Sequence, residues 1–339
     1  MTGPRASLVA AAAVAAVMAG CSADEPDGPA GSPTSPSSST ADATEDPATD
    51  APTGSTTPTT PSTEPEPAPV RPADFDVRRA RAAVQHLAGR IGPRHGTSPA
   101  FARAVDWVSG ELEGLGYRVR RQGFDTPAGV SWGVPVPAGR SVNVIATPPG
   151  LDPTSPHLVI GAHLDTVPQA PGAEDNGSGV GVVLAAAAAA ADLETRLPVV
   201  WVAFGAEEPR GPSDADHHYG SRAYVASLGP AERRAVRGMV SLDRVGVGER
   251  VPVGSAQESD PLQRSLLAAA ERARVPTTPD PFQRSSDHWS FVLEGMPGAR
   301  LGSTPYVEYH SAGDVPSVVD PAQLERVGRL LLAWLTPSG

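Results

Sequence analysis

Two neighbouring stretches bring metal-ligand chemistry together: Gly161-Ala-His163-Leu-Asp165-Thr166 and Glu174-Asp175-Asn176-Gly-Ser-Gly179, with Asp175 twelve residues after His163. Val159 and Ile160 read as the end of a buried strand and residues 177–191 as a helix, so His163, Asp165 and Asp175 belong to a strand-to-helix loop. A neutral imidazole and a carboxylate are donors that zinc accepts. A second carboxylate two residues past the histidine can take its other ring N–H and fix the tautomer.

More acids follow at equivalent places. Glu207 and Glu208 come directly after the apolar run Val199–Phe204, and Asp243 follows Met239 and Val240 closely. Ligand sites in open α/β sheets lie at the carboxyl ends of the strands, so these groups should converge. One carboxylate of the adjacent pair can bind metal while its neighbour accepts a proton from water. Val307-Glu-Tyr309-His310-Ser-Ala-Gly-Asp314 adds a second imidazole. The inventory suits two zinc ions, one among His163, Asp175 and Asp243, the other among Glu208, Asp175 and His310, with Asp175 shared. Two divalent cations about 3.5–4 Å apart acidify water and polarise a carbonyl, which is hydrolytic chemistry.

The elements that must position these groups are legible. Leu158–Ile160, Val199–Phe204 and Met239-Val240 are continuous apolar runs separated by helical stretches. That alternation predicts a three-layer α/β/α sandwich with a mixed, centrally parallel sheet. Val77, Ala80, Ala83, Val84, Leu87 and Ile91 recur at helical spacing, as do Phe101, Ala104, Val105, Val108, Leu112 and Leu115. Residues 117–121 and 141–146 read as strands. The alanines from Ala185 to Ala191 belong to a helix lying close on the sheet.

The first 72 residues differ in kind. Arg5, an apolar run from Leu8 to Ala19, and Met18-Ala-Gly-Cys21 have the layout of a secretory leader; the run is too short to span a bilayer. Met18–Cys21 resembles the lipobox of bacterial lipoproteins, which implies a signal peptide over residues 1–20 and a lipid on Cys21, the only cysteine. The other reading is plain secretion with cleavage near Ala19. Residues 21–72 are rich in Ser, Thr, Pro and acids, too poor in apolar side chains to order, and are expected to be a disordered tether. Nine acidic residues between Asp24 and Glu66 account for most of the net charge of −11, leaving about −3 from Arg71 onward. That near-neutral body gives no support for nucleic-acid binding. Residues 73–339 are expected to form one domain, with a monomer as the default.

Taken jointly, the motifs resemble the secreted two-zinc aminopeptidases of clan MH, which include bacterial leucyl aminopeptidase and aminopeptidase Y. The matching stretches, in order, are Gly161–Asp165, Asp175–Gly179, Glu207-Glu208, Gly220–Tyr224, Ser241–Asp243, Ser286–Phe291 and Tyr309-His310. The resemblance implies a zinc-exopeptidase fold acting on peptides with a free N-terminus outside the membrane, to whose outer face the lipid on Cys21 would anchor it. It implies that His163 and Asp243 bind one zinc, Glu208 and His310 the other, and that Asp175 bridges them through a cis peptide to Asn176. It makes Asp165 the group that orients His163, Glu207 the general base, and Tyr309 a hydroxyl donor to the oxyanion.

The segment between Glu208 and Gly220 is longer and more polar than in that family; His217 and His218 within it read as a solvated loop. Arg284 stands one serine away from the family's substrate-facing arginine. His86, His95 and His157 are assigned to structure or surface, and Trp107, Trp201 and Trp289 to the core. Three other readings stay open: a two-metal carboxypeptidase or deacylase, suggested by His163-Leu-Asp-Thr-Val-Pro168; a glutaminyl cyclase-like enzyme; and a non-catalytic binding lipoprotein.

Overall fold

The computed structural model describes residues 67–337; the leader, Cys21 and most of the expected tether lie outside them. The strands are β1 (Arg118–Thr126), β2 (Gly129–Ser131), β3 (Val134–Val136), β4 (Gly139–Thr147), β5 (His157–His163), β6 (Val199–Phe204), β7 (Val236–Asp243), β8 (Val251–Ser255), β9 (Thr277–Asp280) and β10 (Gly298–Gly302). The helices are α1 (Val77–Val84), α2 (Pro99–Gly114), α3 (Gly179–Ala190), α4 (Tyr219–Ala226), α5 (Pro230–Ala235), α6 (Pro261–Arg272), α7 (His288–Leu293) and α8 (Pro321–Leu335).

One eight-stranded sheet has the order β1-β4-β6-β5-β7-β10-β8-β9. Its centre, β6-β5-β7-β10, is parallel, while β4 runs antiparallel to β6 and β8 antiparallel to β10. Strand alternation sorts side chains onto two helical layers. In β6, Val199, Trp201 and Ala203 pack into the core shared with Ala80, Val105, Leu184, Leu266 and Leu331, which come from α1, α2, α3, α6 and α8. Val200, Val202 and Phe204 point the other way, to Tyr224 and Val225 of α4 and Phe291 of α7. A central strand covered on both faces must be apolar at every position, which is why these runs stand out in the sequence. The molecule is a three-layer α/β/α sandwich with a mixed, centrally parallel sheet.

Local signals set the helix starts. Ser98 accepts the N–H of Phe101 ahead of Pro99, Asp260 caps α6 ahead of Pro261, and Asp320 caps α8 ahead of Pro321. The alanines of α3 lie against the sheet, and a Cβ at Gly181 would sit 2.6 Å from the carbonyl oxygen of Ala80 in α1. Small residues let these helices approach closely.

Packing against the sheet domain extends ahead of residue 73. Val70 is fully buried, and Ala68 and Val70 exchange backbone hydrogen bonds with Glu194. The short strands β2, β3, β8, β9 and β10 carry no clear period-2 signal; β10 is Gly-Ala-Arg-Leu-Gly, yet it pairs with β7 near the sheet centre.

Candidate metal centre

Three adjacent parallel strands end at one edge of the sheet, and each delivers donors there. β5 ends on His163, β7 ends on Asp243, and Glu207 and Glu208 follow the last residue of β6. Asp175 lies in the loop that opens α3, with a cis peptide to Asn176 as the resemblance implies. His310 comes from the loop after β10. All six are buried, at most 8% exposed.

Asp175 presents one oxygen to each imidazole: Oδ1 is 3.0 Å from His163 Nε2 and Oδ2 is 3.0 Å from His310 Nε2. On the first side Asp243 Oδ1 is 3.7 Å from His163 Nε2; on the second Glu208 Oε2 is 3.4 Å from His310 Nε2. Glu207 Oε2 lies 3.9 Å from His163 Nε2. Donor atoms of His163, Asp175 and Glu208 all lie within 4.8 Å of one another, as do those of His163, Glu207 and Asp243.

The loop carrying Asp175 is held from several directions. Arg94, fully buried, donates to the carbonyls of Leu164 at 2.7 Å, Pro171 at 2.7 Å and Gly172 at 3.0 Å. Asp314 accepts the N–H groups of Glu174 and Asp175 at 2.8 and 3.1 Å, and the Tyr306 hydroxyl at 3.0 Å. Asn176 donates to the Leu242 carbonyl at 2.8 Å, which ties the loop to β7. Asp165 stands beside His163 and makes a further contact. His163 Nδ1 lies 3.1 Å from the backbone oxygen of Asp165 and 3.8 Å from its carboxylate Oδ1, and that carboxylate also accepts the N–H groups of Glu207 and Glu208. The nearer contact to the imidazole is main chain, and the side chain holds the glutamate loop.

The electrostatics suit a cation. Burial pushes Glu207 up to about 8 and Glu208 up to about 7. Burial opposes charge on the His310 imidazole, but Glu208 and Asp175 overcome it and carry the ring up to about 10. For His163 burial acts in the same sense, and Glu207, Asp175 and Asp243 carry it well above its usual range. Burial opposes charge on Asp175 and Asp243 too, but the imidazoles and Arg244 hold both below the usual carboxylate range, so the protons gather on the two glutamates and the two imidazoles. Glu208 Oε1 and His310 Nδ1 are buried without a hydrogen-bond partner. This nitrogen and oxygen donor set fits zinc.

Several residues here escaped the sequence reading. Trp132, left unassigned there, sits at the tip of the β2–β3 hairpin, 54% exposed, in edge-to-face contact with His310 and Tyr309 at ring-centre distances of 4.3 and 5.6 Å. Arg210 holds the hairpin over the site by donating to the carbonyls of Pro127 and Pro137, while its own carbonyl accepts the N–H of Val130. A Cβ on Gly129 would run into that Arg210 carbonyl. Tyr309 stacks on His310 at 3.7 Å, and the Arg244 guanidinium lies 4.6 Å from the Tyr309 ring centre. Arg284 lies over Trp289, while the buried Arg300 donates to Ser285 and Gln283. The loop before α4 is exposed over residues 212–215 and His217 is half-buried, but His218 is not solvated: it is 6% exposed, its Nε2 3.1 Å from Glu207 Oε1. A pair of histidines amid Ser, Asp and Pro gives no periodic sign of burial, so only the returning chain reveals it.

The profile of peptidase family M28 matches residues 143–335, a span that contains every donor named above. The chain belongs to peptidase family M28. This M28 chain is 29% identical over 241 residues to leupeptin-inactivating enzyme 1 of Streptomyces exfoliatus, covering 68% of the chain and 50% of that relative. It therefore spans about half the length of this curated relative. Among solved structures it resembles a zinc aminopeptidase from Bacillus subtilis, with a TM-score of 0.68 and 18% identity over 77% of this chain and 94% of that one. It resembles the glutaminyl cyclase of Porphyromonas gingivalis about as well, with a TM-score of 0.66 and 20% identity over 77% of this chain and 98% of that one. Those two likenesses concern the fold.

Proposed function

We propose that this M28 protein is a two-zinc aminopeptidase that removes N-terminal residues from peptides outside the cytoplasmic membrane. The observation that carries the reading is Asp175, whose two oxygens each face a different imidazole at 3.0 Å. His163 and Asp243 would hold one ion, Glu208 and His310 the other, with Asp175 shared. Bound zinc supplies Lewis acidity, acidifying water and polarising the scissile carbonyl.

The chain's own groups do the rest. Glu207, buried and with Oε2 facing His163, takes a proton from the attacking water as its oxygen bonds to the peptide carbonyl carbon. When the C–N bond breaks, Glu207 gives that proton to the leaving amine. Tyr309 is assigned to donate its hydroxyl to the oxyanion, help worth about 2.7–4 kcal/mol where it has been measured. The acidic cluster also suits a substrate with a free, positively charged α-amino group.

The lipobox-like Met18–Cys21 supports a membrane-anchored lipoprotein, with residues 1–20 removed, a lipid on Cys21, and the segment from there up to the packed Ala68–Val70 as the tether. Loss of fatty-acid labelling in Cys21→Ser is the expected result; labelling that persists would remove the anchor.

The test of the activity is zinc content and release of amino-acid p-nitroanilides, with and without a chelator. About two zinc per chain and chelator-sensitive release is the expected outcome. Zinc without release from free-amine substrates, but turnover of blocked or cyclisable ones, would replace this reading with a deacylase or a cyclase. Neither zinc nor turnover would leave a binding lipoprotein.

A further inference from the structure

We infer that His218 is a positioning residue that keeps Glu207 free as a base by engaging one of its two carboxylate oxygens; this rests on the aminopeptidase reading above. The chain leaves the site after Glu208 and returns at residue 218, where the His218 N–H donates to the Glu207 carbonyl at 3.0 Å and the Tyr219 N–H to the Ala206 carbonyl at 3.0 Å. This closure sets the two side chains together. His218 Nε2 reaches Glu207 Oε1 at 3.1 Å, while Oε2 of the same carboxylate faces His163.

The position is built rather than incidental. His218 adopts the left-handed backbone conformation, φ 57°, which few residues other than glycine take, and it immediately precedes α4. Its carbonyl accepts from Ser221 Oγ at 3.3 Å, and Ser221 in turn meets Ser290 of α7 at 2.9 Å. Burial holds the imidazole below its ordinary range, so near neutrality the ring is uncharged and offers a single N–H.

Glu207 needs that restraint. With His163 and Asp243 it forms a donor set compact enough to hold a metal ion. A carboxylate free to rotate there can bind metal with both oxygens, and a ligated carboxylate is a poor base. A hydrogen bond from His218 to Oε1 withdraws that oxygen and fixes the plane of the group, leaving Oε2 for the water proton. The neutral donor adds no charge to the centre.

The test compares wild type, His218→Phe and His218→Gln, the last of which can place a side-chain N–H near the same point. In His218→Phe we expect kcat to fall at least about tenfold with KM within twofold and zinc per chain unchanged; in His218→Gln kcat should recover to within about threefold of wild type. A readout independent of turnover is the imidazole Nε2–H resonance of 15N-histidine-labelled protein. It should be protected from exchange, vanish in His218→Phe, and shift in Glu207→Gln. Wild-type kcat in His218→Phe, or a resonance indifferent to Glu207→Gln, overturns the inference. Loss of one zinc in His218→Phe would make His218 a ligand instead and also overturns it. Were the zinc-loaded wild type inert toward free-amine peptides, the aminopeptidase reading would fall. The resonance would then still decide whether His218 holds Glu207.

Discussion

The carboxylate of Asp165 accepts the backbone N–H of Glu207 at 3.0 Å through Oδ1, and its other oxygen accepts that of Glu208 at 3.2 Å. The turn after β5 thereby sets the height of the glutamate pair after β6. An amide cannot accept both bonds, because its NH2 would face an N–H. Asp165→Asn should lower the unfolding free energy by about 1–3 kcal/mol. Urea denaturation measures it; an unchanged midpoint would disprove the strut.

Glu207→Gln keeps the shape and removes the basicity. Its kcat should fall by about 10²–10⁴, with zinc content as in the wild type. Activity within a few-fold of wild type would move the base elsewhere.

Arg94 is buried with its donors spent on the carbonyls of Leu164, Pro171 and Gly172, and burial lowers its pKa to about 10. Arg94→Met would strand those carbonyls and remove a buried cation that acts on Asp165, Asp314 and Asp175. A loss of about 3–5 kcal/mol is expected, and Arg94→Lys should rescue little, since an ammonium cannot span the fork. Thermal unfolding of both variants decides, and equal rescue by lysine would argue against the fork.

Trp132 is half exposed at a hairpin tip, so Trp132→Ala should change stability by no more than about 0.5 kcal/mol. Its ring edge lies against His310 and Tyr309, where a substrate side chain would arrive. KM for substrates with an apolar N-terminal residue should rise severalfold while that for alanyl substrates changes little. A uniform effect on both would assign Trp132 to structure alone.

His288 contributes to the acid sensitivity. Its Nε2 lies 3.0 Å from the Gln283 carbonyl, and burial, with Arg300 nearby, lowers the ring from 6.5 to about 3. Between those values the unfolded chain binds a proton that the folded chain refuses, so this contribution is complete above pH 6.5 and is lost as pH falls towards 3. The slope is at most about 1.4 kcal/mol per pH unit. Wild type and His288→Gln should therefore converge in unfolding free energy between pH 7 and pH 4. Parallel curves would exclude His288 as a source.

His163, Glu207, Glu208 and Asp243 were readable because they stand at or just behind apolar runs, and strand ends in such sheets share an edge; Asp175 was read from the strand-to-helix loop that follows His163. His310 had no strand signal of its own and was found by residue type and motif order. Arg94 and Trp132 gave no such signal. A lone arginine between Pro93 and His95 is ordinarily a surface residue, and only the loop folding back over it makes it the clamp on residues 164–172.

By itself the sequence determined the layering, the parallel centre of the sheet and the set of acids and imidazoles, since these follow from local periodicity and from what stands next to each strand. Tertiary structure alone decided other pairings: the Asp165 carboxylate bound to the backbone of the glutamate pair, Arg94 clamped on the carbonyls of residues 164–172, and His218 brought inward to Glu207. Each depends on atoms far apart in the chain approaching within about 3 Å, the hydrogen-bond distance. Such an approach is fixed by how loops close and helices pack, which no local pattern of residue types encodes.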